Sequence, residues 1–154
     1  MATVYSVQKT AWDQTIPSKK TKPNELAGRM RVAYATYEAS SLASGDVIEL
    51  FNLPNGARIM GGRLFNDALA SSTTLSVGYA AHTNSSGTAV SAAAAAYLAA
   101  TSTASAGAND IAATLALGAT SELDANENGV PITATMGGAA GTGTITLRID
   151  YVVD

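Results

Sequence analysis

The chain has 154 residues, of which 14% are charged, with no cysteine, one histidine and a net charge of −3. This length is enough for one domain with a hydrophobic core. The absence of cysteine excludes disulfides, zinc–thiolate sites and cysteine nucleophiles, and one histidine excludes a metal site built from several histidines. So low a charged fraction favours a surface that neighbouring subunits partly cover.

The first 31 residues differ in charge from the remainder of the chain. They carry six basic and two acidic residues, a net +4, whereas residues 32–154 carry three basic and ten acidic residues, a net −7. Alternation at residues 4–8 indicates a short strand, and Pro17 and Pro23 favour extended backbone before them. We therefore predict an extended arm over residues 1–31, either a disordered tail or a segment ordered on an acidic surface, such as the body of a neighbouring copy.

The arm contains the side chains that are expected to contact a partner. Trp12 is the only tryptophan of the chain, and a large aromatic residue in a polar segment is a typical interface anchor. The basic residues expected to act with it are Lys19, Lys20, Lys22 and Arg29.

Residues 32–154 have the pattern of short strands separated by turns. In the clearest strand Ile145, Leu147 and Ile149 alternate with polar residues, which gives one dry and one wet face. Strands are predicted at residues 30–37, 47–53, 57–65, 73–79, 111–116, 132–136 and 144–153. The sequence Pro54-Asn55-Gly56 predicts a turn, and the pair Gly61-Gly62 predicts a bulge or a close backbone approach inside a strand.

An insertion around residues 81–109 interrupts this rhythm. Residues 89–100 include five consecutive alanines, and Val90, Ala94, Tyr97 and Leu98 share one helical face, which predicts one short Ala-rich helix. Loops are predicted at residues 101–109 and, as a flexible hairpin, at 137–143. The fold class predicted is all-β: an antiparallel, jelly-roll-like β-sandwich with an extended N-terminal arm and one short helix.

Three motifs could carry chemistry, and each has a plainer structural interpretation. His82 would have to be the base of a Ser–His–Asp site, but its loop has no G-x-S-x-G sequence and a solvated histidine is favoured. Residues 124–129 match the first half of a calcium loop, although the twelfth position is Thr135 instead of glutamate, which favours a polar turn. The glycine-rich residues 137–143 contain no lysine and precede a strand, so they do not predict a phosphate site.

The composition also argues against nucleic acid and membrane partners. Nucleic-acid binding as a main function predicts a basic face on the body, and the body is acidic. Residues 68–109 carry no charged residue, but they are rich in Ala, Ser, Thr and Gly and do not have the composition of a membrane span.

Four stretches of the chain resemble sequences found in small structural proteins of tailed bacteriophages, in particular the capsid decoration, or cement, proteins. They are residues 45–64 (GDVIELFNLPNGARIMGGRL), 72–78 (STTLSVG), 97–104 (YLAATSTA) and 141–147 (GTGTITL). The resemblance extends over roughly residues 45–154, and residues 81–96 are longer than is usual in that family.

This resemblance implies a β-sandwich, often trimeric, that is made in the host cytoplasm and sits in the virion on the capsid exterior. The implied partners are the major capsid protein and further copies of the chain, with the arm residues making the contacts. The family has no catalytic residues and no cofactor, so no enzyme activity is expected. The alternative is a receptor- or carbohydrate-binding module of a phage tail fibre, which shares the sandwich architecture.

Overall fold

The computed structural model describes residues 4–23 and 25–153, so residues 1–3 and 24 of the predicted arm lie outside the described part. The described residues form ten strands, one α-helix and two 3-10 turns. The strands are β1 (Met30–Leu42), β2 (Val47–Leu53), β3 (Arg58–Asn66), β4 (Thr73–Tyr79), β5 (His82–Thr83), β6 (Ala89–Val90), β7 (Ala93–Ser102), β8 (Gly107–Ile111), β9 (Val130–Gly138) and β10 (Gly141–Val152). The helix α1 is Val7–Trp12, and the 3-10 turns are Pro17–Lys19 and Leu115–Leu117.

Eight of the strands form two four-stranded antiparallel sheets. One sheet has the order β1-β10-β3-β8 and the other has the order β2-β9-β4-β7. Most consecutive long strands lie in different sheets, which is the eight-stranded arrangement of a jelly roll. The predicted antiparallel sandwich is therefore confirmed. The short strands β5 and β6 pair as a hairpin of their own between β4 and β7.

The two sheets enclose one hydrophobic core, and β10 contributes to it as its alternation predicts. Ile145, Leu147 and Ile149 are fully buried, and each such side chain contributes about 1.5–3 kcal/mol through removal from water. The predicted bulge in β3 is also present, because the pairing of β3 with β10 shifts register between Gly61 and Ile59.

The prediction of an Ala-rich helix is wrong, because this segment forms strand β7. Alanine favours a helix by less than 1 kcal/mol per residue over most others, and pairing with β4 outweighs that preference. Val77 of β4 lies opposite Leu98, and Tyr79 lies opposite Ala93. The strand also buries Tyr97 and Leu98 in the core, which an isolated helix on the surface would leave in water.

Two connections also differ from the prediction. The strand expected at residues 111–116 is wrong, because β8 ends at Ile111 and occupies part of the predicted 101–109 loop. The glycine-rich segment 137–143 is not a hairpin, since β9 and β10 pair with different strands in different sheets. It carries the chain from one sheet to the other.

The start of the arm is helical where a strand is predicted. Residues 7–12 form α1, and the side chain of Ser6 caps it by accepting a hydrogen bond from the Lys9 amide at 3.1 Å. A serine at this position satisfies one of the free amides at the helix start. The Thr21 hydroxyl donates to the Gln8 carbonyl at 3.0 Å, which brings the end of the segment back against the helix.

Candidate functional site

The outward face of the β1-β10-β3-β8 sheet carries aromatic, basic and acidic side chains. Tyr34 of β1 lies beside Arg148 of β10, Arg148 beside Arg63 of β3, and Arg63 beside Asp110 of β8. The Arg63 Nε donates to Asp110 at 2.8 Å. This row is open to solvent and carries both signs of charge, so the face suits contacts with a polar partner.

The free edge of this sheet carries an apolar strip. Strand β1 is one of the two edge strands of this sheet, and its outward residues Met30, Val32 and Tyr34 are 66%, 56% and 74% exposed. We name these three residues the edge strip. A long edge strand with exposed apolar side chains is a site for association with another chain. The residue pattern predicts the strand but not this strip, because alternation alone does not show which face stays uncovered.

The arm presents a second apolar surface, and this one also includes positively charged side chains. Helix α1 has no buried residue, and Trp12 is 60% exposed. Tyr5, Val7 and Lys19 line one shallow depression on the arm. The arm surface, as we define it, consists of Tyr5, Val7, Trp12, Lys19 and Lys20.

A small ionic network fastens the base of the arm to the body. The Lys22 Nζ lies 2.9 Å from a Glu122 carboxylate oxygen, and the Arg58 Nη2 lies 2.7 Å from the other. The Arg58 Nη2 also lies 3.4 Å from a Glu25 carboxylate oxygen, and the Arg58 Nη1 donates to the Thr120 carbonyl at 2.7 Å. The Arg58 side chain is mostly buried, so these bonds are better shielded from water than a surface ion pair.

Only one of the predicted contact residues joins this network. Lys22 does so, whereas Lys19, Lys20 and Arg29 have no ion pair among residues 4–23 and 25–153. Trp12 contacts no part of the core. The structure therefore brings Lys22 to the body and leaves the other four residues on exposed parts of the arm and its junction with β1.

We predict that replacing Arg58 with alanine loosens the base of the arm and lowers the free energy of unfolding by about 1–3 kcal/mol, because Glu25 and the Thr120 carbonyl lose their donor and Glu122 keeps only Lys22. Urea denaturation measures the stability, and amide exchange at residues 22–28 measures the release. The matched control is Arg63→Ala, whose exposed pair with Asp110 is worth about 0–1 kcal/mol. Equal losses in the two variants would contradict the assignment of a tether to Arg58.

An open cleft of about 450 Å³ lies beside the β5–β6 hairpin. Three rings meet at its floor. The Tyr79 ring lies edge-on to the His82 ring, with the ring centres 5.4 Å apart, and the centres of the Tyr79 and Tyr97 rings are 6.0 Å apart. Burial raises the pKa of Tyr97, and Tyr79 adds to the effect, so this hydroxyl keeps its proton. The wall of the cleft includes Leu115, which is 81% exposed.

The predicted chemical motifs have structural roles in and near this cleft. The His82 Nδ1 lies 3.1 Å from the Ala80 carbonyl, so the ring nitrogen that a catalytic triad gives to a carboxylate is engaged by backbone. The half calcium motif forms a turn, in which the Asn126 side chain accepts from the Asn128 amide at 2.9 Å. Two hydrogen bonds from Ser85 lower the pKa of Asp124, and the bond from its side chain has a larger effect than the bond from its amide.

Over the described ranges 4–23 and 25–153 there is no group of three or more side chains that could hold a metal ion. Those ranges also lack any helix with the length and apolarity to cross a membrane.

No protein-family model matches the sequence, and no curated protein is significantly similar to it. The structure is similar to a chain in the capsid of Ralstonia phage GP4, with a TM-score of 0.63, 21% identity and coverage of 82% of this chain and 86% of that chain. A chain in the capsid asymmetric unit of cyanophage Pam1 gives a TM-score of 0.59 at 21% identity, with the same coverage.

A chain in the acid-stable capsid of Helicobacter pylori bacteriophage KHP30 has a TM-score of 0.50 at 20% identity, covering 80% of this chain and 87% of that chain. This protein has a fold that occurs in phage capsids. At these identities the likeness shows the fold, and the shared part is the sandwich and not a chemical motif.

Proposed function

We propose that this protein is a virion structural protein that decorates the outside of a bacteriophage head and stabilises the shell by bridging capsid subunits. The observation that carries the proposal is the likeness of its sandwich to chains from three phage capsids, over at least 80% of its length. The sequence resemblance to decoration proteins points the same way.

The exposed apolar surfaces support a role in assembly. The edge strip and the arm surface leave several large side chains in water, and each gains about 1.5–3 kcal/mol when a partner covers it. The arm is basic and the body acidic, so the arm of one copy is complementary to the body of the next. We propose a homotrimer whose arms reach neighbouring copies or the major capsid protein.

The bridging role follows from having several binding sites on one assembly. A trimer attached through three arms binds more tightly than one arm does, because the second and third contacts form at high effective concentration. Each bound trimer then ties adjacent capsid subunits together, which resists separation of the shell under internal pressure.

The test uses head shells of the phage that encodes this chain, prepared without the protein. Purified protein is added, and cryo-electron microscopy and shell disruption by heat are measured. Ordered density on the outside of the shell and a higher disruption temperature are expected. Absence of binding, or density only on the tail, overturns the proposal. Sedimentation of the free protein is expected to give a trimer, and a monomer counts against that part.

A further inference from the structure

We infer that the cleft beside the β5–β6 hairpin binds a neutral saccharide. This site is separate from the edge strip and the arm surface, and the inference does not depend on attachment to a capsid. It gives a role to the insertion, since the hairpin residues His82, Asn84 and Val90 form one wall. The volume of about 450 Å³ lies within the range of small-molecule sites.

The floor of the cleft offers polar groups that the protein itself leaves unsatisfied. In the described part of the chain, the Tyr97 hydroxyl has no hydrogen-bond partner, and it is not one of the fully enclosed polar atoms, so it opens on the cleft. Because the Ala80 carbonyl can only accept, the His82 Nδ1 carries the proton in the neutral ring, which leaves Nε2 as an acceptor.

Asp124 adds a stronger acceptor at the rim. Its carboxylate accepts a hydrogen bond from the Ser85 amide at 3.0 Å. The two carboxylate oxygens can accept hydrogen bonds from further donors. The cleft therefore combines a hydroxyl donor with two kinds of acceptor. A ligand with several hydroxyl groups, each both donor and acceptor, matches this set.

The charges around the cleft argue against ionic ligands. No Lys or Arg lines it in the described part of the chain, so a phosphate or carboxylate would meet Asp124 without a compensating cation. Glu122 is already paired with Lys22 and Arg58, so of the two acidic residues in the lining Asp124 alone would have to balance the charge of a bound cation. A neutral ligand avoids both costs.

The apolar part of the lining fits the flat faces of a sugar ring. The Tyr79 ring gives the floor an apolar surface, and the C–H groups of a pyranose pack on the electron-rich face of such a ring. The Tyr97 ring is 3% exposed and supports Tyr79 from the core side. Leu115 stands exposed at the rim, where it can cover a bound ring. A purely lipid ligand would instead bury His82 and Asp124 against hydrocarbon.

The test screens the full chain against an array of bacterial surface oligosaccharides and monosaccharides and then titrates the best binder while recording amide NMR spectra. Shifts are expected at residues 82–90, 97 and 115–124. Asp124→Asn keeps an oxygen for the Ser85 amide, and we expect it to weaken binding about tenfold through loss of a charged hydrogen bond. Leu115→Ala is expected to weaken it about threefold to tenfold.

The matched control is Asp110→Asn, an exposed acid on the opposite sheet, which is expected to bind as the unaltered protein does. Absence of binding to every saccharide at about 10 mM, a concentration that detects even millimolar affinity, overturns the inference. So do shifts outside the cleft, or equal affinity in all three variants. Binding of tetramethylammonium in the cleft in place of sugars assigns the site to cations and also overturns it.

Discussion

Removal of residues 1–22 is expected to lower the affinity of the protein for head shells at least about 100-fold while the sandwich stays folded. The described residues of this segment contribute nothing to the hydrophobic core, so the strands do not need them. The segment carries Trp12, and removing a central aromatic anchor costs roughly 2–4 kcal/mol at an interface. In the proposed trimer, three arms multiply the loss.

Shell binding in a sedimentation assay measures the effect, and circular dichroism checks the fold. Point variants then locate it within the arm: Trp12→Ala and Lys19→Ala are each expected to weaken binding. Lys9→Ala is the matched control, because it removes the same charge from the same arm but its ammonium is already paired with Asp13 at 2.7 Å. If truncated protein forms trimers and decorates shells normally, the arm has no part in attachment.

Gly78→Ala is expected to destabilise the fold by about 3 kcal/mol or more, as overpacking at rigid backbone does. Gly78 is the next-to-last residue of β4 and is buried, and a Cβ atom there would collide with the Ala93 carbonyl of β7. The neighbour is backbone held in a sheet, so it cannot turn aside as a side chain can. Thermal unfolding is expected to shift down by about 6–12 °C in a chain of this length.

Gly107→Ala is the control for this effect. Gly107 is in β8, and an added Cβ there meets only the Ser105 carbonyl at 4.0 Å, so we expect a change within about 0.5 kcal/mol. A Gly78→Ala protein as stable as the unaltered one would mean that β4 and β7 lie further apart than this structure has them.

Local pattern was sufficient to predict most of the strands that build the scaffold. Residues 73–79 and 47–53 form β4 and β2 with the predicted bounds, because alternation and β-branched residues act over a few neighbouring positions. Local pattern gave the wrong prediction for the alanine segment, because the intrinsic preference of alanine for a helix is small enough for strand pairing to outweigh it. There the decision came from Val77 and Tyr79, which lie far from β7 in sequence but pair with it.

The candidate surfaces were only partly predictable for the same reason. Trp12 and the basic residues stand out in the sequence by type alone. The Arg58–Glu122 network was missed, because its members are separated by 64 positions and no local spacing links them. The cleft was missed as well, since His82, Tyr97 and Asp124 meet only after three separate loops and strands have folded together.

By itself, the sequence determined that the chain is an all-β sandwich with a basic arm, that thiol chemistry is impossible, and that Ile145, Leu147 and Ile149 face the core. These follow from residue type and from a period of two, which neighbouring residues express without any partner. Only the tertiary structure decided which sheet each strand joins, which apolar side chains stay in water on β1, and which polar groups surround the cleft. Those features depend on pairing between distant segments, and a side chain becomes buried or exposed only when another strand covers it or does not.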